Sequence, residues 1–350
     1  MECNLVIDGT NIGRGFSPYV IAEMSGNHQN SLEIAMQLMR ECAASGVNAF
    51  KLQTYSAQTL TLESNRAEYI VQSGPWQGRT LFDLYSQGHT PNAWLKPLFE
   101  LARDLKLTLF STPFGIKEVD LLEELGVSLY KIASFEITYT QLLKRIASTG
   151  KPVIFSTGLA TLDEIAKAID VLQTNGSGQI AILKCTTSYP AEDKDLNLST
   201  INYLKNRFDV PVGFSDHTKG INAAITAVGA GACIFEKHVK LDSDVSSVDS
   251  SFALSASHLA EYISSIHTAY ISMGEVQDGP TYSEKQYLKY RRSVVAARDI
   301  FAGELISEDK VTIIRPNIGL QPELLDSIIG LKVKRNICFG EGITFENLET

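Results

Sequence analysis

The sequence predicts an α/β protein, a (β/α)8 barrel followed by a small second domain. Three observations lead there. Short β-branched runs alternate with longer amphipathic runs from Tyr19 to Met273. Eight strand–helix units fit into that length, which is the count of a closed parallel TIM barrel. Beyond residue 292 a ten-residue pattern occurs twice, marking a separate unit.

The strands read, in order, as Tyr19–Glu23, Ala49–Gln53, Thr108–Thr112, Leu129–Ala133, Pro152–Ser156, Ile180–Cys185, Pro211–Ser215 and Ala232–Lys237. Between them lie helical stretches such as Leu32, Ala35, Met36, Met39 and Ala43, whose spacing of three and four marks one buried face. Gly13-Arg14-Gly15 is followed by no helix signal, so a dinucleotide fingerprint is absent and an open doubly wound sheet is the weaker reading. Gly279-Pro280 and the charged run from Glu284 to Arg292 read as a linker. The expected domains are therefore 1–278, with a short N-terminal extension, and 292–350, joined through 279–291. In the tail, the ten residues from Arg298 to Ser307 recur 37 residues later as Arg335 to Thr344, which predicts internal two-fold pseudosymmetry. A unit of that size is marginal alone and is expected to lean on the barrel or on a second subunit.

Composition narrows the function. Thirty-one basic against 40 acidic residues leave a net charge of -9, which argues against a general nucleic-acid binder. It leaves room for an anionic small substrate held by local lysines. No apolar run approaches the ~18 residues of a membrane helix, so no membrane partner is expected. The start, Met1-Glu2-Cys3-Asn4, has no basic region ahead of Leu5-Val6-Ile7 and does not read as a signal peptide. The five cysteines, Cys3, Cys42, Cys185, Cys233 and Cys338, are odd in number and scattered, as free thiols in a reducing cytoplasm would be.

In a barrel, polar residues at strand C-termini point into the active-site mouth. Every strand here supplies some: Glu23, Asn27 and His28; Lys51 and Gln53; Ser111 and Thr112; Lys131 and Ser134; Ser156 and Thr157; Lys184, Thr186, Thr187 and Tyr189; Ser215, Asp216 and His217; Glu236, Lys237 and His238. Any one is as readily a solvated strand end. Eight strands in succession are not.

His217 and His238 fall near the ends of neighbouring strands, about 4.8 Å apart in a sheet. A lone strand-end histidine is usually just a hydrogen-bonding group; a pair on adjacent strands suits a divalent Lewis acid with open positions, with His28 as a third candidate. Lys51, Lys131, Lys184 and Lys237 require anionic partners if buried. They form a phosphate and carboxylate cradle with the hydroxyls of Thr112, Ser134, Ser156 and Thr187, or one is a Schiff-base lysine, or one merely pairs with Glu23 or Glu236. Glu23 is a candidate general base; its bland role is to neutralise Lys51. Trp76, Tyr85 and Trp94 mark the long segment after the second strand, about residues 55–90, which either roofs the site or packs over the barrel rim. Asp249, after the last strand, is a candidate for sugar hydroxyls or an ordinary loop aspartate.

The segments Ile21 to His28, Lys51 to Tyr55, Ser111 to Phe114, Lys131 to Ser134, Ser156 to Gly158, Cys185 to Pro190, Ser215 to Thr218 and Glu236 to His238 resemble the sialic acid synthase family. The tail, with Ala302-Gly303-Glu304 and Ile314-Arg315-Pro316, is similar to that family's antifreeze-like (SAF) domain. The resemblance covers nearly the whole chain from Pro18. It implies condensation of phosphoenolpyruvate with an N-acetylated amino sugar and water, releasing phosphate. It also implies that His217 and His238 hold a divalent metal, Mn2+ with Mg2+ or Co2+ as alternatives, and that Glu23 assists the water or proton step. Lys51, Thr112, Lys131, Ser134, Ser156, Thr187 and Ser215 would grip phosphoenolpyruvate. Gln53, Tyr189 and Asp249 would line the sugar side, completed by Arg315 from the partner of a domain-swapped homodimer. Thr187 stands where the sialate-type pattern has Asn, and Asp244 to Asp249 lacks that pattern's glycines. Two rivals remain: a class I aldolase using Lys131 or Lys184, and a non-catalytic sugar-binding barrel.

Overall fold

The computed structural model describes residues 5–349, so Met1 to Asn4, including Cys3, lie outside the described residues. Eight parallel strands close on themselves: β3 (Tyr19–Glu23), β4 (Ala49–Thr54), β5 (Thr108–Pro113), β6 (Tyr130–Ile132), β7 (Val153–Ser156), β8 (Ile180–Cys185), β9 (Val212–Asp216) and β10 (Ile234–Lys240). The barrel shuts because β10 pairs with both β9 and β3. All eight expected strands are present. The last runs three residues further than expected, which puts His238 on the strand itself, opposite Glu23 of β3.

Each strand is followed by a helix that covers it: α1 (Leu32–Ala44), then α4 (Asn92–Asp104), α5 (Ile116–Leu125), α6 (Thr140–Ala147), α7 (Leu162–Thr174), α8 (Thr200–Phe208), α9 (Asn222–Gly229) and α10 (Leu259–Met273). The short α2 (Ala57–Leu60) and α3 (Leu81–Gly88) lie in the long β4–α4 connection. Local chemistry starts these helices where the sequence says it should. Ser31 accepts from the Ile34 amide at the head of α1, and Thr161 and Glu164 form a reciprocal capping box at the head of α7. The helix layer and the outward strand residues Val20, Phe50, Tyr130, Phe155, Phe214 and Phe235 make one continuous apolar core.

Ahead of the barrel, β1 (Leu5–Ile7) and β2 (Thr10–Ile12) form a hairpin. Its two-residue loop, Asp8-Gly9, has both residues at positive φ (45° and 80°), as a primed turn requires. Leu5, Ile7 and Ile12 pack against Ile21, Ala49, Phe110, Leu129, Ile154 and Ile234, so the hairpin plugs the end of the barrel opposite the strand C-termini. The Asp-Gly pair is a hairpin signal. The flanking runs are only three residues long, too short to stand out by alternation, and the sequence alone assigns the short N-terminal extension no elements.

The chain divides into two compact units between Gly274 and Glu275. In the second, β12 (Ser293–Ala296) and β13 (Val311–Ile314) pair antiparallel, β11 (Leu254–Ser255) having extended the barrel sheet beside β10. The 37-residue repeat is a structural one. Ile300 and Ile337 exchange both backbone hydrogen bonds, at 2.9 and 2.8 Å. The amide of Ala302 donates to the Asn336 side chain, and in the mirrored position Phe339 donates to Asp299. Gly303 and Gly340 turn at φ +86° and +81°, each beside a glutamate that accepts from a backbone amide three residues earlier.

Candidate active site

Alternation along the barrel strands stacks the interior in layers. On every strand an apolar or glycine residue of the lower layer is followed two positions later by a polar one: Ile21 by Glu23, Ala49 by Lys51, Phe110 by Thr112, Leu129 by Lys131, Ile154 by Ser156, Leu183 by Cys185, Gly213 by Ser215, and Ile234 by Glu236. Residues two apart on a strand share a face. The polar ring therefore sits directly above the dry plug, and what lies above the ring is the mouth.

Within the ring, Lys51 joins two carboxylates, with Nζ 3.0 Å from Glu23 Oε2 and 3.3 Å from Glu236 Oε2, and it donates to Thr112 Oγ1 at 3.3 Å. Burial works to lower the Lys51 pKa, but Glu23 and Glu236 outweigh it and hold the ammonium charged. Burial pushes Glu23 up to about 7; Lys51 pulls against it and Glu236 adds repulsion. Gln53 Nε2 donates to Glu23 Oε1 at 2.9 Å, and Ser215 Oγ donates to Glu236 Oε1 at 3.2 Å. Glu23 is thus a carboxyl poised to trade a proton near neutrality.

Lys131 lies across the ring with no carboxylate hydrogen-bonded to it among the described residues. Its Nζ donates to Ser156 Oγ at 2.6 Å and to the Ile132 carbonyl at 3.0 Å, and burial lowers its pKa to about 8. Above it, the Gly158 amide donates to Ser134 Oγ at 3.0 Å, and the buried Thr187 Oγ1 has no hydrogen-bond partner among the described residues. A Cβ at position 158 would collide with both Ser134 and Thr187 side chains, so only glycine leaves this corner open. A buried cation and an unpartnered hydroxyl beside a glycine gap are what an oxyanion needs.

At the mouth, the His217 and His238 rings lie 5.3 Å apart. The Nδ1 of His217 is 3.0 Å from the Thr186 carbonyl. A carbonyl only accepts, so Nδ1 carries a proton, and in the neutral ring Nε2 is the lone-pair donor. His238 is held neutral, its pKa well below the ordinary value through burial and the nearby His217, Lys51 and Lys237 charges, and its buried Nδ1 has no hydrogen-bond partner among the described residues. Burial works to lower the His217 pKa, but Cys185 and the Thr186 carbonyl outweigh it and raise it; once that ring gives up its Nε2 proton, it and the neutral His238 fit the donor set of a divalent ion. Among the described residues no cluster of three His, Cys, Asp or Glu side chains forms a complete cage, so water or substrate oxygens would supply the remaining ligands. Tyr189 stacks on His217 at 4.4 Å, and Trp76 lies 5.6 Å from Tyr189. Trp76 Nε1 donates to the Val248 carbonyl at 2.8 Å, so the long β4–α4 connection does roof the mouth. Asp249 is anchored there by Ser25 Oγ and the Gly26 amide.

Several candidates stand apart from this cluster. His28 spends both ring nitrogens on backbone, Nε2 at 3.3 Å from the Gly88 carbonyl and Nδ1 accepting from Asn30, and its edge meets Trp94 at 5.3 Å. It is a packing histidine, not a third ligand. Lys184 and Lys237 lie on the outward faces of β8 and β10, because Cys185 and Glu236 take the inward positions. Lys184 donates to the Cys185 carbonyl and Thr186, and Lys237 pairs with Asp216. Trp94 belongs to the helix layer, while Tyr85 meets Tyr55 in the β4–α4 connection. Arg315 is exposed at the end of β13, in the second unit.

Three residues of the site had no sequence signal strong enough to single them out. Phe252 is buried against His238 at 5.1 Å and Tyr189 at 5.1 Å, walling the mouth. Cys185 Sγ lies 3.8 Å from His217 Nδ1; burial pushes the thiol up, but His217 outweighs it and brings it down to about 7. Glu136 follows Ser134 by two positions, has a buried Oε2 with no partner, and is pushed up to about 7 by burial. A carboxyl whose folded pKa is raised binds more protons folded than unfolded. Its contribution is complete below about pH 4.5 and is lost as pH rises through 7. Glu136→Gln is therefore expected to flatten stability between pH 5 and 8, gaining on the order of 2–3 kcal/mol over the wild type at pH 8. Denaturant melts at the two pH values measure this, and equal pH slopes for the two proteins would refute it.

The NeuB family model matches residues 38–278, and the SAF domain model matches residues 291–349. The chain is 37% identical to the pseudaminic acid synthase of Campylobacter jejuni, over 93% of this chain and 95% of that one. It is 32% identical to the N,N'-diacetyllegionaminic acid synthase of Legionella pneumophila, over 96% of each. Among solved structures, the N-acetylneuraminic acid synthetase of Leptospira borgpetersenii in complex with citrate superposes with a TM-score of 0.74 at 29% identity, covering 82% of this chain and 96% of that one.

Proposed function

This chain belongs to the NeuB family of phosphoenolpyruvate-dependent nonulosonic acid synthases, with a C-terminal SAF domain, and from that premise we propose that it makes pseudaminate. The reaction condenses phosphoenolpyruvate with 2,4-diacetamido-2,4,6-trideoxy-L-altrose and water and releases phosphate. The observation that carries the choice of product is the likeness to the Campylobacter enzyme across 93% of the chain. N-acetylneuraminate and legionaminate are the alternative products, since relatives with those names match over similar lengths.

The ring and the mouth divide the work. Lys51, Thr112 and Lys131, with Ser134, Ser156, Thr187 and Ser215, bind the phosphate and carboxylate of phosphoenolpyruvate in a site where water is scarce and charge interactions are strong. Gln53, Tyr189 and Asp249 orient the sugar, and Trp76 and Phe252 exclude water from its reacting end. His217 through Nε2, together with His238, would hold a divalent ion, taken as Mn2+, whose chemistry when bound is Lewis-acid polarisation of the aldehyde oxygen. The C3 carbon of phosphoenolpyruvate uses its enol electron pair to form the new bond to the aldehyde carbon, and the aldehyde oxygen takes up the proton carried by Glu23. Water then adds at C2 and gives its proton to Glu23. The C2–O bond to phosphate breaks as the new C2 hydroxyl gives its proton to the departing phosphate and the ketone forms. Proximity of donor and acceptor supplies much of the acceleration. Arg315 from a second copy would complete the sugar end in a domain-swapped dimer. The described residues include no helix long and apolar enough to cross a membrane.

A Schiff-base mechanism has one observation in its favour, the Lys131 ammonium brought down to about 8. Borohydride with pyruvate or phosphoenolpyruvate separates the two readings. The synthase is expected to keep full activity and its unmodified mass, and a reduced adduct on Lys131 would replace this mechanism with the aldolase one.

A further inference from the structure

Behind the two histidines, on the helix side of the barrel wall, lies a fully buried ionic cluster that no step above uses. Lys237 Nζ is 3.0 Å from Asp216 Oδ2, and both side chains are 1% exposed or less. Tyr262, from α10, donates its hydroxyl to the same Oδ2 at 3.2 Å, and Lys237 lies 5.7 Å from its ring centre. The cluster is embedded in the apolar layer between β9, β10 and the covering helices. An ion pair there costs desolvation that a pair of apolar side chains would not, so its presence calls for a role.

Its remaining contacts suggest one. Asp216 Oδ1 accepts from both the amide and the hydroxyl of Thr218, at 2.9 and 2.7 Å, and Lys237 Nζ donates to the Thr218 carbonyl. The residue after His217 is thus gripped at its amide, its side chain and its carbonyl. Asp216 and Lys237 are register partners on adjacent strands, and each immediately precedes one of the histidines. Fixing this pair fixes the strand-end backbone that carries His217 relative to the strand that carries His238. Burial also leaves the cluster out of reach of solvent ions, so the clamp does not relax with salt.

We propose that Asp216, Lys237 and Tyr262 are positioning residues that set the separation of the two imidazoles, an inference that rests on the reading of His217 and His238 as metal ligands. All three side chains are buried on the helix side of the strands, away from the inward ring of Ser215 and Glu236. The clamp acts through Thr218 and the strand backbone, as supporting groups do in metal sites.

The test uses the full-length protein with Mn2+ as the probe. The neutral pair Asp216→Asn/Lys237→Met keeps an acceptor for Thr218, removes both charges together and releases the Thr218 carbonyl. Tyr262→Phe is the milder variant, in case the pair does not fold. Mn2+ affinity by calorimetry is expected to fall about ten- to hundredfold in the neutral pair and two- to tenfold in Tyr262→Phe. Phosphoenolpyruvate affinity without metal is expected to stay within twofold. Unchanged Mn2+ affinity in folded variants, with only the melting temperature lowered, would mean a structural role and overturn the proposal. His238→Ala runs alongside: if it binds Mn2+ as the wild type does, the ligand reading itself has failed and the clamp proposal falls with it. Loss in His238→Ala but not in the clamp variants overturns the clamp alone.

Discussion

His238→Ala is expected to remove metal-dependent turnover, lowering phosphate release roughly a thousandfold or more, while leaving the barrel folded. The reasoning starts from burial. His238 sits among positive charges at Lys51 and Lys237, so an imidazolium there is disfavoured and the ring stays neutral, as a ligand must. Its Nδ1 has no protein partner to lose. Truncation leaves a polar mouth that water can fill, not an unpaired charge, and the melting temperature is expected to change little. Phosphate release with and without added Mn2+, with circular dichroism as the control, measures both. Unchanged activity at saturating Mn2+ would remove His238 from the ligand set.

Lys51→Met is expected to act on stability as well as on activity. Lys51 is the one cation within salt-bridge distance of Glu23 and Glu236 among the described residues, and all three groups are buried. Removing it leaves two carboxylates facing each other in a dry ring, which costs about 3–5 kcal/mol. Turnover should fall roughly a hundred- to a thousandfold through loss of anion binding. Because the stability loss comes from uncompensated charge, adding Glu23→Gln to Lys51→Met is expected to restore part of it without restoring turnover. Urea melts of the single and double variants test this coupling. Additive losses would show that Lys51 and Glu23 do not act as a unit.

The barrel was legible because its strand–helix units repeat and its strand ends carry polar residues in a period of two. The inward lysines illustrate where that reading stopped. Position in the alternation separates Lys51 and Lys131, which face the ring, from Lys184 and Lys237, which face the helices, but only once each strand's inward phase is fixed by its buried neighbours. For β8 that phase is set by Leu183 packing on the plug. On the sequence alone, Leu183 and Lys184 are equally good inward residues. His28 was drawn into the metal reading because β3 and β10 are neighbours. The turn after β3 carries it away from the strand ends to the Gly88 carbonyl and Trp94, contacts made across the β4–α4 connection. Phe252 and Glu136 were missed for a related reason. Each lies in a loop or a single helical turn, where no periodicity announces which way a side chain points. The tail repeat, by contrast, was visible at once, since paired copies need the same Gly-Glu turn chemistry twice.

The proposed reaction joins phosphoenolpyruvate to a diacetamido-trideoxy sugar with a metal at the histidine pair. The most direct measurement follows phosphate release from phosphoenolpyruvate in Mn2+ with each of two acceptors, 2,4-diacetamido-2,4,6-trideoxy-L-altrose and N-acetylmannosamine. Turnover with the first and not the second is the predicted result. Turnover with N-acetylmannosamine alone would make the chain a sialate synthase and contradict the acceptor assignment; no phosphate with either would contradict the proposed reaction itself.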